Sequence, residues 1–498
     1  MLRMHFQPPI EAVSLNAVAG NYPQQWLKTV SDQRVSRASK NELSEVLPLS
    51  TIVNYNIPTV GVGFMFFMVT LYLMKFSTDV LLISPAVMGL IFGISRIWDA
   101  VTDPVAGYLS DRTNLKVGRR RPWMLMSVPF VCGTFYMMWN PSELLSESMV
   151  IVWMAAAVIL FYTSMTAFSV PHTSLGAELS TNYHERTRIF GLRHMIWNSG
   201  SLLALVAMHQ LITGENPRQI AFVVSVIAGV VTAALIVWMF FNTKERPEYQ
   251  GRGESNPFIA FGDVLRNKHA SLLLVVFFIE NLGGATIGIL TPYIAEYIVM
   301  RPEKTVIYIL LYLIPSVFSV PLWVPLSRRV GKKVMWIFSM LLTGFGFGGM
   351  FFLVEGSDTL ISVLAVICGL GAGSGAVVAP SIQSDVIDYD EYKSGKRKEG
   401  TYFATWNFVF KSATGITLML TGFVLSSSGF VPNQEQTELT KLALLTLYAI
   451  FPLVCYVTGA LIFTKFNLNE AEYKKIRDAL DSRENFTTSD EAQLGEPS

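Results

Sequence analysis

Ser95-Arg96-Ile97-Trp98-Asp99-Ala100-Val101-Thr102-Asp103-Pro104 places two carboxylates in a segment otherwise apolar enough to cross a membrane. From Pro85 to Leu109 the residues are mostly Val, Met, Leu, Ile, Phe, Gly and Ala, a run long enough to span as a helix. Asp99 and Asp103 are four residues apart, so on a helix both project from one face. Each charge at bilayer depth costs about 2.5–3.5 kcal/mol on insertion scales, which argues for use rather than accident. Adjacent carboxylates repel, so one holds a proton unless a cation lies between them. Oxygen pairs of this kind suit a hard cation or a shuttled proton. The plainer alternative is an ion pair with Arg96, three residues earlier, which accounts for one carboxylate and leaves the other unpaired.

Composition agrees with a membrane protein. Of 498 residues, 51% are hydrophobic and only 15% charged, and the mean hydropathy is +0.42, too apolar for an ordinary soluble enzyme. The net charge of +1 gives no reason to expect a nucleic-acid partner. Cys132, Cys368 and Cys455 all fall in apolar segments without short spacing, which argues against a disulfide framework or zinc site. Residues 1–48 contain no run resembling a cleavable signal peptide, so the first spanning helix is expected to direct insertion.

Length and apolarity mark twelve candidate spans, at 51–76, 84–109, 122–139, 149–170, 189–212, 219–241, 270–299, 305–326, 334–354, 359–381, 401–427 and 441–464. The expected organisation is a tail at 1–48, a six-helix bundle at 49–241, a linker at 242–269, a second bundle at 270–466 and a tail at 467–498. Basic residues gather in the loops after even-numbered spans, from Arg112 and Lys116 to Arg397 and Lys398. The opposite loops offer little beyond Arg218, Arg301 and Lys304. The positive-inside rule then puts both tails and the linker in the cytoplasm. The halves also echo each other: the Asp111-Arg112 to Arg119-Arg120-Arg121 connection has a counterpart at Ser327 to Lys333. Two related halves with a site between them are the usual architecture of secondary transporters.

Other polar residues fall within or near the spans. Lys411 lies a third of the way into the eleventh span and needs a partner, for which Asp99 and Asp103 are the candidates across the halves; otherwise it snorkels to the surface. Arg193 suits an anionic or polyhydroxyl ligand, or snorkels from its helix end. Glu280-Asn281 precedes Gly283-Gly284, so Glu280 either faces the cavity or bonds a neighbouring helix. Trp406, five residues before Lys411, is a candidate cavity wall, with Asn407 beside it. Asp111, Arg112, Arg119, Arg120 and Arg121 are read as a gate that bridges the halves in one state, or as topology signals alone. Trp123, Trp139, Trp238 and Trp336 are read as interface anchors. No Gly-x-x-x-x-Gly-Lys-Ser/Thr loop is present, which argues against ATP-driven transport.

Together, Arg96-Ile-Trp-Asp99-Ala-Val-Thr-Asp103-Pro104, the Gly118-Arg-Arg-Arg-Pro122 turn and Lys411 resemble the glycoside–pentoside–hexuronide:cation symporters of the major facilitator superfamily. The melibiose permeases are bacterial members, and the sodium-dependent lysophospholipid transporters are animal relatives. The likeness runs from about residue 50 to 480 and includes Gly429-Phe-Val-Pro-Asn433-Gln-Glu435-Gln. It implies that Asp99 and Asp103 bind the coupling sodium, lithium or proton, with Thr102 and Thr166 as supporting oxygen ligands. Lys411 would stand beside that site and Arg193 would line the solute cavity. The helix-one and helix-four aspartates that hold sugar in melibiose permeases fall, by ungapped spacing, on Gly63 and Ser169. That departure leaves an amphipathic solute open beside a sugar.

The expected protein is therefore an all-α, twelve-helix transporter of the bacterial inner membrane, monomeric, working by alternating access and not an enzyme. It would couple Na+ or H+ at Asp99 and Asp103 to uptake of a sugar or glycoside, with no cofactor beyond the ion. Arg193, Trp406, Asn407 and Glu280 would shape the solute site, and membrane lipids would surround the protein. The rivals are a lysolipid symporter, a transport-incompetent membrane sensor and a drug–proton exchanger.

Overall fold

A computed structural model describes residues 47–180, 183–245, 262, 264–395, 399–468, 472–476 and 478–480. Most of the 1–48 and 467–498 tails and of the 242–269 linker lies outside the described residues. The secondary structure is helical throughout, and among the described residues the only β-type pairing is one isolated bridge between Leu115 and Gly118.

Helix α1 comes in three pieces, Leu49–Asn56, Thr59–Leu71 and Leu73–Asp79, broken at Ile57-Pro58 and at Tyr72. Then follow α2 (Pro85–Arg112), α3 (Arg121–Trp139), α4 (Glu147–Glu178), α5 (Tyr183–Thr213) and α6 (Pro217–Asn242). The second half holds α7 (Lys268–Tyr297), α8 (Thr305–Phe318, continued by Val320–Val330), α9 (Lys332–Gly349), α10 (Asp358–Ser394) and α11 (Glu399–Ser427). It ends with α12, in which Glu438–Leu445 and Phe451–Phe463 flank a π-helical turn at Thr446–Ile450.

Local chemistry sets several ends. Pro85 and Pro217 occupy first-turn positions, where the missing N–H costs nothing. Asn267 and Thr437 cap α7 and α12 by accepting from backbone N–H groups. Gly395 ends α10 with φ 67°, a left-handed conformation that favours glycine.

Each expected span falls on one of these helices, and among the described residues 10 helices qualify as membrane-crossing by length and hydropathy. The other two are α2 and α3. Ser95, Arg96, Asp99 and Asp103 interrupt α2, and Pro, Ser, Gly, Tyr and Trp residues dilute the apolarity of α3. Each packs one side on protein, α2 against α4 and α11, and α3 against α4 and α6, and leaves apolar residues such as Ile97 and Met126 exposed on the other. The side of a helix that packs on protein can carry polar groups that lipid would not tolerate.

Within the first half α1 packs on α5; within the second, α9 and α8 pack on α10, and α7 on α11 and α12. The halves meet chiefly where α2 crosses α11. Glycine permits that approach: a Cβ at Gly422 would lie 2.2 Å from the Pro85 carbonyl oxygen and 2.9 Å from the Gly89 Cα. Two of the expected interface tryptophans are instead buried, Trp139 against Phe76 and Phe135, and Trp336 against Phe463. Large aromatic rings pack more favourably inside the bundle than at its rim when neighbouring rings are available. Trp238 is exposed and donates to Asn54.

Orientation is testable on exposed residues. In a background without native cysteines, Lys116→Cys and Ser427→Cys should label from opposite sides with an impermeant reagent. Labelling of both from one side would remove the odd–even alternation of the spans.

Candidate cation and solute site

Asp99 and Asp103 lie on the middle turns of α2, and both face α4 and α11. Asp99 is buried, whereas the Asp103 side chain retains 33% of its exposure. From α4, the Thr166 hydroxyl lies between them, with Oγ1 2.8 Å from Asp103 Oδ1 and 3.4 Å from Asp99 Oδ1. Thr102 does not reach the carboxylates; its hydroxyl turns back to the Asp99 carbonyl at 3.4 Å.

Lys411 comes from α11 in the other half. Its ammonium donates to Asp103 Oδ2 at 2.6 Å and lies 3.5 Å from Asp99 Oδ2. Snorkelling alone does not account for such a contact. The alternative partner is present too, since Arg96 Nη1 lies 3.4 Å from Asp99 Oδ2. Along the sequence Arg96 and Lys411 read as rivals, yet the site holds both, two cations on two carboxylates. Formal charge is thereby balanced in a low-dielectric interior, where an unpaired ion costs most.

Arg96 is itself tightly placed. It donates from Nη2 to the Tyr162 hydroxyl at 2.7 Å, and its guanidinium carbon lies 4.2 Å from the Tyr162 ring centre and 5.7 Å from that of Phe66. Its stem crosses α11 at Gly415, where an added Cβ would lie 2.2 Å from Arg96 Cγ. Gly415→Ala should therefore displace Arg96 and change apparent cation affinity several-fold, at an overpacking cost of about 1–3 kcal/mol. Isothermal titration of the purified variant checks this, and wild-type affinity would mean that Arg96 does not position Asp99. Sequence reading misses Tyr162 and Gly415. A usable signal is the spacing of Tyr162 and Thr166, four apart on α4 and so on one face.

The expected solute residues come from α5, α7 and α11. Trp406 packs on Phe277 at 4.8 Å between ring centres and is nearly buried, while Asn407 is exposed. Arg193 is half-buried on α5 and makes no ion pair among the described residues. Glu280 turns into the second half, where a Cβ at Gly375 of α10 would lie 3.2 Å from its Oε1 and 3.9 Å from Trp336 Nε1. Gly63 faces the backbone of α5, and a Cβ there would meet the Trp197 carbonyl oxygen at 2.5 Å. That close helix–helix contact leaves no room for a side chain. The Ser169 hydroxyl donates back to the Met165 carbonyl.

The expected gate residues pair within the first half. Arg120 bonds Asp111 and Glu178, both at 2.7 Å, and Arg119 bonds Glu178 at 2.6 Å. Arg112 lies over the Tyr108 ring. Glu245, just after α6, accepts from the backbone N–H groups of Arg119, Arg120 and Arg121. The cluster thus ties the α2–α3 turn to the start of the linker. Among the described residues no group of three or more His, Cys, Asp or Glu converges as a metal site. A monovalent cation at Asp99 and Asp103 would need hydroxyl or water oxygens to complete its shell.

Comparison with known proteins bears on these features. Residues 54–470 match the family described as MFS/sugar transport protein. The isoprimeverose transporter of Lactiplantibacillus pentosus is 27% identical, over 87% of this chain and 91% of its own. The sodium-dependent lysophosphatidylcholine symporter 1 of Xenopus tropicalis is 24% identical, over 89% of this chain and 91% of its own. Among solved structures, a bacterial homologue of the human lysosomal transporter Spinster, in an inward-facing and unoccupied conformation, superposes with a TM-score of 0.61. That alignment covers 86% of this chain and 96% of the other at 13% identity, a likeness of fold alone.

Proposed function

The chain belongs to the MFS/sugar transport family, and from that premise we propose that it couples cation influx to uptake of a sugar or glycoside. It is an integral, multi-pass secondary transporter, and its relatives are transporters rather than enzymes. The observation that carries the coupling reading is the contact of Lys411, from the second half, with Asp99 and Asp103 of the first. Sodium or a proton arriving at those oxygens competes with the ammonium for the same lone pairs. Occupancy of the ion site then alters an attraction between the halves, and so biases alternating access. Thr166, which donates to Asp103 and lies within reach of Asp99, is the neutral ligand best placed to follow the change.

The sugar reading is supported by the family description and by the isoprimeverose relative. A second reading, a lysolipid or other amphipathic solute, is favoured by the close packing at Gly63, which leaves no carboxylate acceptor for sugar hydroxyls on that stretch of α1. A thermal-shift screen against sugars, glycosides, uronates and lysolipids, with and without sodium and at two pH values, separates the readings. Binding of solute and ion to the folded state raises the melting temperature by mass action. A sugar that stabilises only alongside sodium or at the lower pH supports sugar symport. Stabilisation by lysolipid alone among the solutes supports the second reading. Stabilisation by solute that is indifferent to both cations would defeat cation coupling.

A further inference from the structure

A second ammonium on two carboxylates joins the halves at the end of the bundle away from the tails. Lys75, near the end of α1, is 3% exposed. It pairs with Asp79 one turn on and with Glu296 of α7 at 2.7 Å. Its ammonium also lies over two α7 rings, 5.0 Å from the centre of Tyr293 and 4.7 Å from that of Tyr297. The Tyr297 hydroxyl donates to Asp79 Oδ2 at 2.7 Å, and the Thr78 and Tyr293 hydroxyls are 2.9 Å apart. Asn433, between α11 and α12, donates its side-chain amide to the Asp79 carbonyl and its backbone N–H to the Tyr297 hydroxyl. Tyr293, Tyr297 and Phe430 close over the cluster as a buried aromatic layer.

From this geometry we infer that Lys75, Asp79, Glu296 and Tyr297 form the gate that closes the non-cytoplasmic side of the solute path. The inference rests on the alternating-access reading above. The bonds divide in a way that suits a gate. Lys75 and Asp79 share one helix and stay paired when the halves part, so no charge on the first half is left alone. The bonds that must break run between the halves, and the groups that depart are all on the second: the Glu296 carboxylate, two phenols and an amide, each of which water can satisfy once the gate opens. Cation–π contact adds an attraction that is lost on separation.

The test uses the full-length protein in lipid, with native cysteines replaced and spin labels at Leu144→Cys and Val354→Cys. These positions are exposed, lie on the same membrane side and belong to different halves. Electron–electron resonance distances are read without solute or ion gradient, so the result is independent of what is transported or coupled. Tyr297→Phe and Glu296→Gln should each enlarge the long-distance population several-fold. Lys304→Gln, which breaks a pair with Asp358 inside the second half, should leave it unchanged. If Glu296→Gln does not fold, Tyr297→Phe decides, since it removes a single hydroxyl. Distributions unchanged by Tyr297→Phe, or a control that shifts as much, would overturn the inference.

Discussion

Asp103→Asn should bring solute accumulation in proteoliposomes down to equilibrium while leaving a folded protein. Under a tenfold inward cation gradient, one coupled ion supplies about 1.4 kcal/mol, enough for about tenfold accumulation at one-to-one stoichiometry. The variant ratio should be near one. Asp103 is the better of the two carboxylates to test. It keeps a third of its exposure, and Lys411 retains Asp99 at 3.5 Å when Asp103 loses its charge. Asp99→Asn should abolish accumulation too, but it also deprives buried Arg96 of its counter-ion. Removing one partner of a buried pair costs about 3–5 kcal/mol, so a lower yield of folded protein is expected there. Full accumulation by folded Asp103→Asn would refute the cation site.

The second large effect is expected at Lys411. If the ammonium and the coupling cation compete for the same oxygens, solute affinity depends on the ion through Lys411. Coupling free energies of about 1–3 kcal/mol correspond to about 5–150-fold changes in affinity. Lys411→Ala should reduce that factor toward one while changing cation-free solute affinity less. Lys411→Arg should rescue poorly, because a guanidinium is larger, planar and does not give up its proton. Calorimetric solute affinity across a cation titration, in wild type and both variants, measures the factor directly. An undiminished factor in Lys411→Ala would make the residue a structural anchor of α11.

Much of the cation site is legible in the amino-acid sequence, because its signals are local and costly. Two carboxylates one turn apart at membrane depth, and one ammonium at membrane depth in the other half, leave few ways to satisfy their charges. The site as built differs in its partners. Arg96 reads as a rival to Lys411, yet Gly415 lets its stem cross α11 and the Tyr162 ring holds its head, so both cations fit. Thr102, on the same helix as the carboxylates, bonds its own helix instead, since its hydroxyl reaches the carbonyl three residues back. Glu280 sits at a plausible depth, but the rotation of α7 turns it toward Gly375. Lys75 and Asp79 do not stand out along the chain, because charges at the end of a span look like its border with water.

The spanning helices, their expected orientation and the charges that need partners inside the membrane are all written in the order of residues. Those follow from transfer energies, which accrue residue by residue and can be read along a line. Which charges meet, which half supplies each and where the halves close on one another emerge when the helices pack. Those depend on helix rotation and closest approach, set by small residues where two backbones meet, as at Gly63 and Gly422, or where a side chain crosses a helix, as at Gly415.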